Sequence, residues 1–183
     1  MSVRTGGGSD QDGFSCGYRH ILNKKLEGAV MVDSFGTSKS ADNPNFLASL
    51  RLFISQMNRC DMIIFNNGLH GWHLSDENYK ASCKKLIESL RAEYPSKKWA
   101  IAFSTPLRDS KDLSKFVERN DIVKQRNLAL KDIADELDIP VLDFFSAICE
   151  NAELWSIDGV HLTPDGYSIL SDICCEQIKK DLL

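Results

Sequence analysis

The chain has 183 residues, 43% of them hydrophobic and 26% charged, which is ordinary for one globular domain spanning residues 1–183. The net charge of −4 and the lack of a basic stripe argue against nucleic acid as a partner, and no apolar run reaches the roughly 18 residues of a membrane span. The six cysteines form no Cys-x-x-Cys pair and none has a histidine at ligand spacing, so we expect no metal site. We also expect the thiols to be reduced, as in a cytoplasmic protein, unless a leader has been lost.

Short apolar runs alternate along the chain with longer segments of helical periodicity. The runs are rich in β-branched or aromatic residues, as buried parallel strands are. They lie at residues 29–32, 62–65, 99–103 and 141–144. The helical patterns cover residues 46–57, 76–93, 113–137 and 164–183. This order predicts an α/β fold with a parallel sheet, right-handed crossovers and helices on both faces.

A glycine-rich segment near the start of the chain ends in Ser9. In a parallel sheet the functional groups gather at the carboxyl ends of the strands, and Ser9 would follow a first strand at residues 1–5. The preceding glycines permit a tight turn, and the Ser9 hydroxyl can give its proton to a base as it attacks an acyl carbon. Residues 1–5 are polar for a buried strand, so a flexible tail of the same composition is the alternative interpretation.

Polar segments also follow the next two predicted strands. Residues 34–37 read Ser-Phe-Gly-Thr, and residues 66–70 read Asn-Asn-Gly-Leu-His. The side chains of Asn66 and Asn67 either face a ligand or cap the strand end by hydrogen bonds to the backbone. Trp72 follows directly and either lines a pocket or serves in packing.

The segment Asp158-Gly159-Val160-His161 places a carboxylate and an imidazole three residues apart, just before a helix start signal. Thr163 is a suitable N-cap and Pro164 a suitable first helical residue, so the pair lies on a loop held by a capped helix. In such a loop Asp158 can accept a hydrogen bond from one ring nitrogen of His161 while the other nitrogen faces a nucleophile. A turn aspartate beside a solvated histidine is the alternative.

Taken together, these segments resemble the SGNH (GDSL-like) hydrolase superfamily over nearly the whole chain. The shared features are Gly-x-Ser near the start, a glycine after the second predicted strand, Gly-Leu-His after the third and Asp-x-x-His near the end. The resemblance implies a flavodoxin-like, three-layer α/β/α sandwich with a mostly parallel, five-stranded sheet. It also implies a lipase-like esterase or acylhydrolase that acts on a small-molecule acyl or acetyl ester and needs no cofactor.

The resemblance also assigns roles to individual residues. Ser9 would be the nucleophile, His161 the general base and acid, and Asp158 the residue that orients His161. The oxyanion hole would consist of the N–H groups of Ser9 and Gly36 together with the side chain of His70. Family members usually have Asn at the position of His70, and a neutral imidazole N–H is also a suitable donor.

Three alternatives stay open at this point. Asn66 and Asn67 are the rival oxyanion donors. Gly8 and Gly71 stand where the family usually has Asp, so a non-catalytic module that binds a ligand on the same scaffold is a second candidate. An acyltransferase with the same serine is a third. The sequence predicts neither the particular ester nor the oligomeric state.

Overall fold

The computed structural model describes residues 17–57 and 59–183 as an α/β fold. The helices are α1 (Tyr18–Lys25), α2 (Pro44–Ser55), α3 (Asp76–Glu93), α4 (Asn120–Leu137), α5 (Phe144–Ile148) and α6 (Pro164–Leu182), with a 3₁₀ turn at Ala152–Leu154. The strands are β1 (Met62–Phe65), β2 (Lys98–Ala102), β3 (Arg108–Asp109), β4 (Asp112–Phe116) and β5 (Val141–Leu142). None of the helices in these two ranges combines the length and apolarity needed to cross a bilayer.

The main sheet is parallel, three-stranded and covered by helices on both faces. Its order is β1-β2-β5. Side chains of β2 alternate between the two faces: Trp99 and Ile101 pack with α2, α3 and α4, whereas Ala100 and Ala102 pack with α1, α5 and α6. Burial of apolar side chains on both faces explains why the strands are almost wholly apolar. Because β1 and β2 are parallel neighbours, their carboxyl ends lie side by side at one edge of the sheet.

The expected five-stranded sheet is wrong for the part of the chain that the structure describes, because the main sheet there has three strands. Residues 1–5 lie outside the described residues. Residues 29–32 form no strand. The side chain of Asn23 binds both backbone groups of Val32, accepting from its N–H at 2.7 Å and donating to its carbonyl at 2.9 Å. These are the groups that a neighbouring strand would need.

Two further boundaries differ from the expectation. The helix predicted from residue 113 begins at Asn120, because the preceding residues form the antiparallel hairpin β3-β4. The strand predicted over 141–144 ends at Leu142, since Asp143 caps α5 by accepting a hydrogen bond from the N–H of Ser146 at 2.9 Å.

The elements closest to the predicted site residues agree with the sequence. β1 and α3 have the predicted bounds. α6 begins at Pro164, and Thr163 is its N-cap, with a hydroxyl that accepts from the N–H of Gly166 at 3.4 Å. The loop that carries His161 is therefore held by a capped helix, as expected.

Candidate active site

The loop between the 3₁₀ turn and α6 closes on itself. Trp155 and Leu162 form an isolated antiparallel bridge at its base. Inside this bridge the N–H of Ser156 donates to the carbonyl of His161 at 2.8 Å. Both bridge residues are buried, and the N–H of Thr163 donates to the carbonyl of Leu154 at 2.9 Å. The ends of the loop are therefore fixed by backbone hydrogen bonds and by the core.

At the tip of this loop Asp158 holds His161 in one orientation. Its Oδ2 lies 2.5 Å from Nδ1 of His161, and its Oδ1 accepts from the backbone N–H groups of Val160 and His161, each at 2.9 Å. Nε2 of His161 has no hydrogen-bond partner among residues 17–57 and 59–183. The His161 side chain is 33% exposed. Its second nitrogen is therefore available to a group that approaches from outside the loop.

The carboxyl group of Asp158 has a pKa below its ordinary value. Partial burial acts to raise this pKa, but the hydrogen bonds from the His161 ring and from the backbone N–H groups of His161 and Val160 outweigh burial. Asp158 is therefore ionised at neutral pH. An ionised Asp158 accepts a hydrogen bond from the Nδ1–H of His161 and stabilises the imidazolium that forms when Nε2 takes up a proton.

Gly159 seats the loop against the hairpin β3-β4. The N–H of Arg108 donates to the carbonyl of Gly159 at 2.8 Å, and Gly159 has a φ of 69°. A Cβ at this position would lie 2.1 Å from the carbonyl oxygen of Arg108. A residue with a side chain would therefore meet both an unfavourable backbone conformation and a backbone atom.

The side chain of Arg108 links this seat to the core. It is buried, and its guanidinium donates to the carbonyls of Leu113, at 2.7 Å, and Cys149. The guanidinium carbon lies 4.5 Å from the ring centroids of both Phe116 and Trp155. Arg108 thus binds β4, the end of α5 and the base of the His161 loop to one another.

A second group of predicted site residues gathers after β1. The amide nitrogen of Asn66 donates to the carbonyl of Ala102 at 2.7 Å and to the hydroxyl of Ser104 at 3.2 Å. The amide of Asn67, which is fully buried, donates to the carbonyl of Lys39 at 3.1 Å. Both side chains therefore connect the strand end to neighbouring segments, which favours the capping interpretation over a role as oxyanion donors.

The turn that carries His70 is held by Arg126 of α4. The Arg126 guanidinium donates to the carbonyls of Gly68 at 3.0 Å, His70 at 2.6 Å and Gly71 at 2.7 Å. A Cβ on Gly68 would lie 1.9 Å from Oγ of Ser104, so the turn also packs tightly on the residue that follows β2. The backbone of His70 is therefore fixed independently of its side chain.

Arg126 carries its charge without a carboxylate partner among the described residues. It is 1% exposed, and burial lowers its pKa from the ordinary value. Its guanidinium carbon lies 4.7 Å from the ring centroids of both Trp72 and Tyr79. The three carbonyls and the two aromatic faces replace most of the hydration that burial removes, while Nε is buried without a hydrogen-bond partner among the described residues.

Sequence reasoning did not single out Arg108 or Arg126. The signal for Arg126 was its position on the apolar side of α4, in register with Val123, Leu130 and Ile133. A charged residue on such a stripe is unusual unless its charge has partners. No comparable signal marks Arg108.

Four of the predicted site residues lie beyond the carboxyl end of β1. Asn66, Asn67, His70 and Trp72 follow β1, and Ser104, which follows β2, contacts the first of them. Shortly after Ser104 the chain reaches Arg108, whose N–H donates to the carbonyl of Gly159 in the His161 loop. Gly36 lies on an exposed segment without regular structure. Ser9 lies outside the described residues.

An open cavity of about 700 Å³ borders the His70 turn. Residues 38–40 and Asn43 line one side, and residues 70–73 line the other, so Trp72 does contribute to a cavity wall. Within the described ranges, no three His, Cys, Asp or Glu side chains are grouped in a way that could hold a metal ion.

Comparison with known proteins gives the family. Residues 2–169 match the model of the GDSL-like lipase/acylhydrolase family, and the chain belongs to this family. The match includes both the segment of Ser9 and the loop of Asp158 and His161. No curated protein is significantly similar to the chain in sequence.

Solved structures resemble the whole fold at low sequence identity. The aryl esterase of M. smegmatis is 15% identical with a TM-score of 0.76, and the match covers 100% of this chain and 93% of that one. A carbohydrate acetylesterase from Sinorhizobium meliloti is 15% identical with a TM-score of 0.76, covering 96% and 94%. A lipolytic protein of the G-D-S-L family from Veillonella parvula is 18% identical with a TM-score of 0.69, covering 95% and 92%. At these identities the likeness establishes the fold.

Gly159→Ala is expected to destabilise the protein more than Gly28→Ala. Both glycines have a positive φ, 69° and 80°, so a Cβ costs about 1 kcal/mol at either position. Only at Gly159 does the added carbon meet backbone, since nothing lies within 4 Å of it at Gly28. Urea unfolding should show a loss that is larger for Gly159→Ala by about 2 kcal/mol. Equal losses of stability in the two variants would contradict the close contact between Gly159 and the backbone of β3.

Asp158 is expected to stabilise the folded protein only while it is ionised. Because its folded-state pKa is lowered, its contribution is complete above the unfolded-state pKa of about 3.9 and is lost as the pH falls through the lower folded-state value. Asp158→Asn removes this ionisation. Urea midpoints of the two proteins should differ at about pH 5, begin to converge below about pH 4 and meet only below the folded-state pKa of Asp158. A difference that persists unchanged in acid would contradict the assignment.

Proposed function

We propose that the protein is a carboxylic ester hydrolase with Ser9, His161 and Asp158 as its catalytic triad. Membership of the GDSL-like family supports an esterase or acylhydrolase activity. The observation that carries the proposal is the 2.5 Å contact between Oδ2 of Asp158 and Nδ1 of His161, in a side chain that is 33% exposed and whose Nε2 has no hydrogen-bond partner among the described residues. This pair is the base and orienter that a serine nucleophile requires.

In the proposed reaction Nε2 of His161 takes the hydroxyl proton of Ser9 as the oxygen attacks the ester carbonyl. The tetrahedral intermediate collapses to an acyl-serine, and His161 gives the proton to the departing alcohol. A water molecule then attacks the acyl-serine with His161 again as base, which releases the acid and restores Ser9. Asp158 keeps the imidazole in the correct tautomer throughout. The chemistry requires no metal or organic cofactor.

The oxyanion of the intermediate would be bound by the N–H groups of Ser9 and Gly36 and by the side chain of His70. Two observations favour His70 over the neighbouring asparagines. The amides of Asn66 and Asn67 donate to backbone carbonyls, and Asn67 is fully buried. The backbone of His70, by contrast, lies on a turn that Arg126 holds at three carbonyls, which reduces the reorganisation needed when charge develops.

The substrate proposed is a small acyl or acetyl ester. Similar structures include an aryl esterase and a carbohydrate acetylesterase, whose names describe esterases of aryl and of acetyl esters. The cavity beside His70 is bordered mainly by polar side chains, which suits a small polar ester better than a long acyl chain.

Ser9→Ala is expected to lower hydrolysis of 4-nitrophenyl acetate by at least about 10³-fold, because no other group would form the acyl intermediate. Ser89→Ala is the matched control, since its hydroxyl is exposed and bonds only a carbonyl of its own helix. A fluorophosphonate probe should label the wild type and Ser89→Ala but not Ser9→Ala. Full activity in folded Ser9→Ala would reject this nucleophile. A wild type that is folded, inactive and unlabelled would favour the non-catalytic module.

His70→Ala is expected to lower kcat by about 10²-fold to 10³-fold, whereas His70→Asn should regain much of the loss, because an amide can also donate to the oxyanion. Either change leaves the backbone carbonyl that Arg126 binds, so the turn should keep its shape. Steady-state kcat and KM with 4-nitrophenyl acetate measure the effect. Unchanged kcat in His70→Ala would return the role to Asn66 or Asn67.

A further inference from the structure

The cavity beside His70 is bordered mainly by residues with polar side chains, and three of these side chains already make hydrogen bonds. The side chain of Asn43 caps α2 by accepting from the N–H of Asn45 at 3.0 Å. The hydroxyl of Ser40 donates to Asp42. The ring of His73 contacts the same carboxylate at 3.1 Å. These hydrogen bonds fix the three side chains in the wall.

Lys39 is the only lysine or arginine among the described residues that line the cavity. It is partly exposed, and its ammonium group has no carboxylate partner among the described residues. The nearest carboxylate in sequence, Asp42, is occupied by Ser40 and His73, and these two hydrogen bonds lower its pKa. An ammonium group at a cavity wall without a counter-charge is a binding group for an anion.

A second cationic side chain, that of Arg119, packs on Trp72, which lines the same cavity. The guanidinium carbon of Arg119 is 5.0 Å from the ring centroid of Trp72, and Arg119 has no ion pair within the described part of the chain. The acidic residues of the first turn of α3, Asp76 and Glu77, do not line the cavity. Lys39 and Arg119 thus give this wall two cationic groups against one carboxylate, that of Asp42, although the chain as a whole has a net charge of −4.

We propose that this cavity binds an anionic group of the substrate and that Lys39 is the residue that pairs with it. The substrate class is then an ester that carries a carboxylate or a comparable anion on its acyl or its alcohol part. The inference rests on the proposed function, because His70, the proposed oxyanion donor, lines the same cavity. An anion held there would place its ester bond within reach of that donor.

The test compares charged and neutral esters in matched pairs. Mono-4-nitrophenyl succinate against 4-nitrophenyl butyrate places the carboxylate on the acyl part, and 4-carboxyphenyl acetate against phenyl acetate places it on the alcohol part. The quantity measured is the ratio of kcat/KM for the charged and the neutral ester. In at least one pair, Lys39→Met is expected to lower this ratio by about threefold to tenfold, because it keeps the length of the side chain and removes its charge.

The controls separate this site from general electrostatics. Lys39→Arg keeps the charge and should preserve the ratio. Lys24→Met, on an exposed position of α1 away from the cavity, changes the net charge equally and should not alter it. In the wild type the ratio should fall between about 20 mM and about 500 mM salt, because screening weakens an exposed ion pair.

Two outcomes would overturn the inference and are distinguishable. If neutral esters are hydrolysed and Lys39→Met has the same ratio as Lys24→Met in both pairs, the anion site is wrong and the proposed function stands. If the folded wild type hydrolyses none of the four esters, the proposed function and the inference fall together.

Discussion

The carboxylate of Asp158 accepts hydrogen bonds from three donors that all belong to the next three residues of the chain. One oxygen binds two backbone N–H groups and so makes the turn, and the other binds the His161 ring and so orients it. A single side chain thus determines both the shape of the loop and the direction of its imidazole. The bridge at the base of the loop and the cap of α6 add rigidity, but neither would orient the ring without this carboxylate.

Two buried arginines extend this order to the rest of the site. Arg108 supports the loop of His161, and Arg126 supports the turn of His70. Each binds backbone carbonyls and aromatic rings and has no carboxylate partner among the described residues. The positive charges are therefore not neutralised by ion pairs at this edge of the sheet, where the proposed reaction develops negative charge on oxygen. The same two guanidinium groups therefore hold the turns and make the local electrostatic field favourable for negative charge.

Several parts of the fold that depend on nearby residues could be predicted from the sequence, although the hairpin β3-β4 and the cap of α5 at Asp143 could not. The spacing of Asp158 and His161, the cap at Thr163 and the bounds of α3 all involve contacts within one or two turns of chain. The parts that depend on distant partners could not. Residues 29–32 have the composition of a strand, yet the side chain of Asn23 takes the backbone groups of Val32. The guanidinium of Arg126 finds its acceptors 55 to 58 residues away, and no local pattern encodes such a distance.

The close contact between Gly159 and Arg108 has a consequence for how this protein can diverge. The space that a side chain at position 159 would need is filled by the backbone of the hairpin. A family member that acquires a larger residue there must also reroute the segment equivalent to residues 108–110. Two stretches of sequence about fifty residues apart are therefore expected to change together in evolution. A change that alters the path of this hairpin would also displace His161.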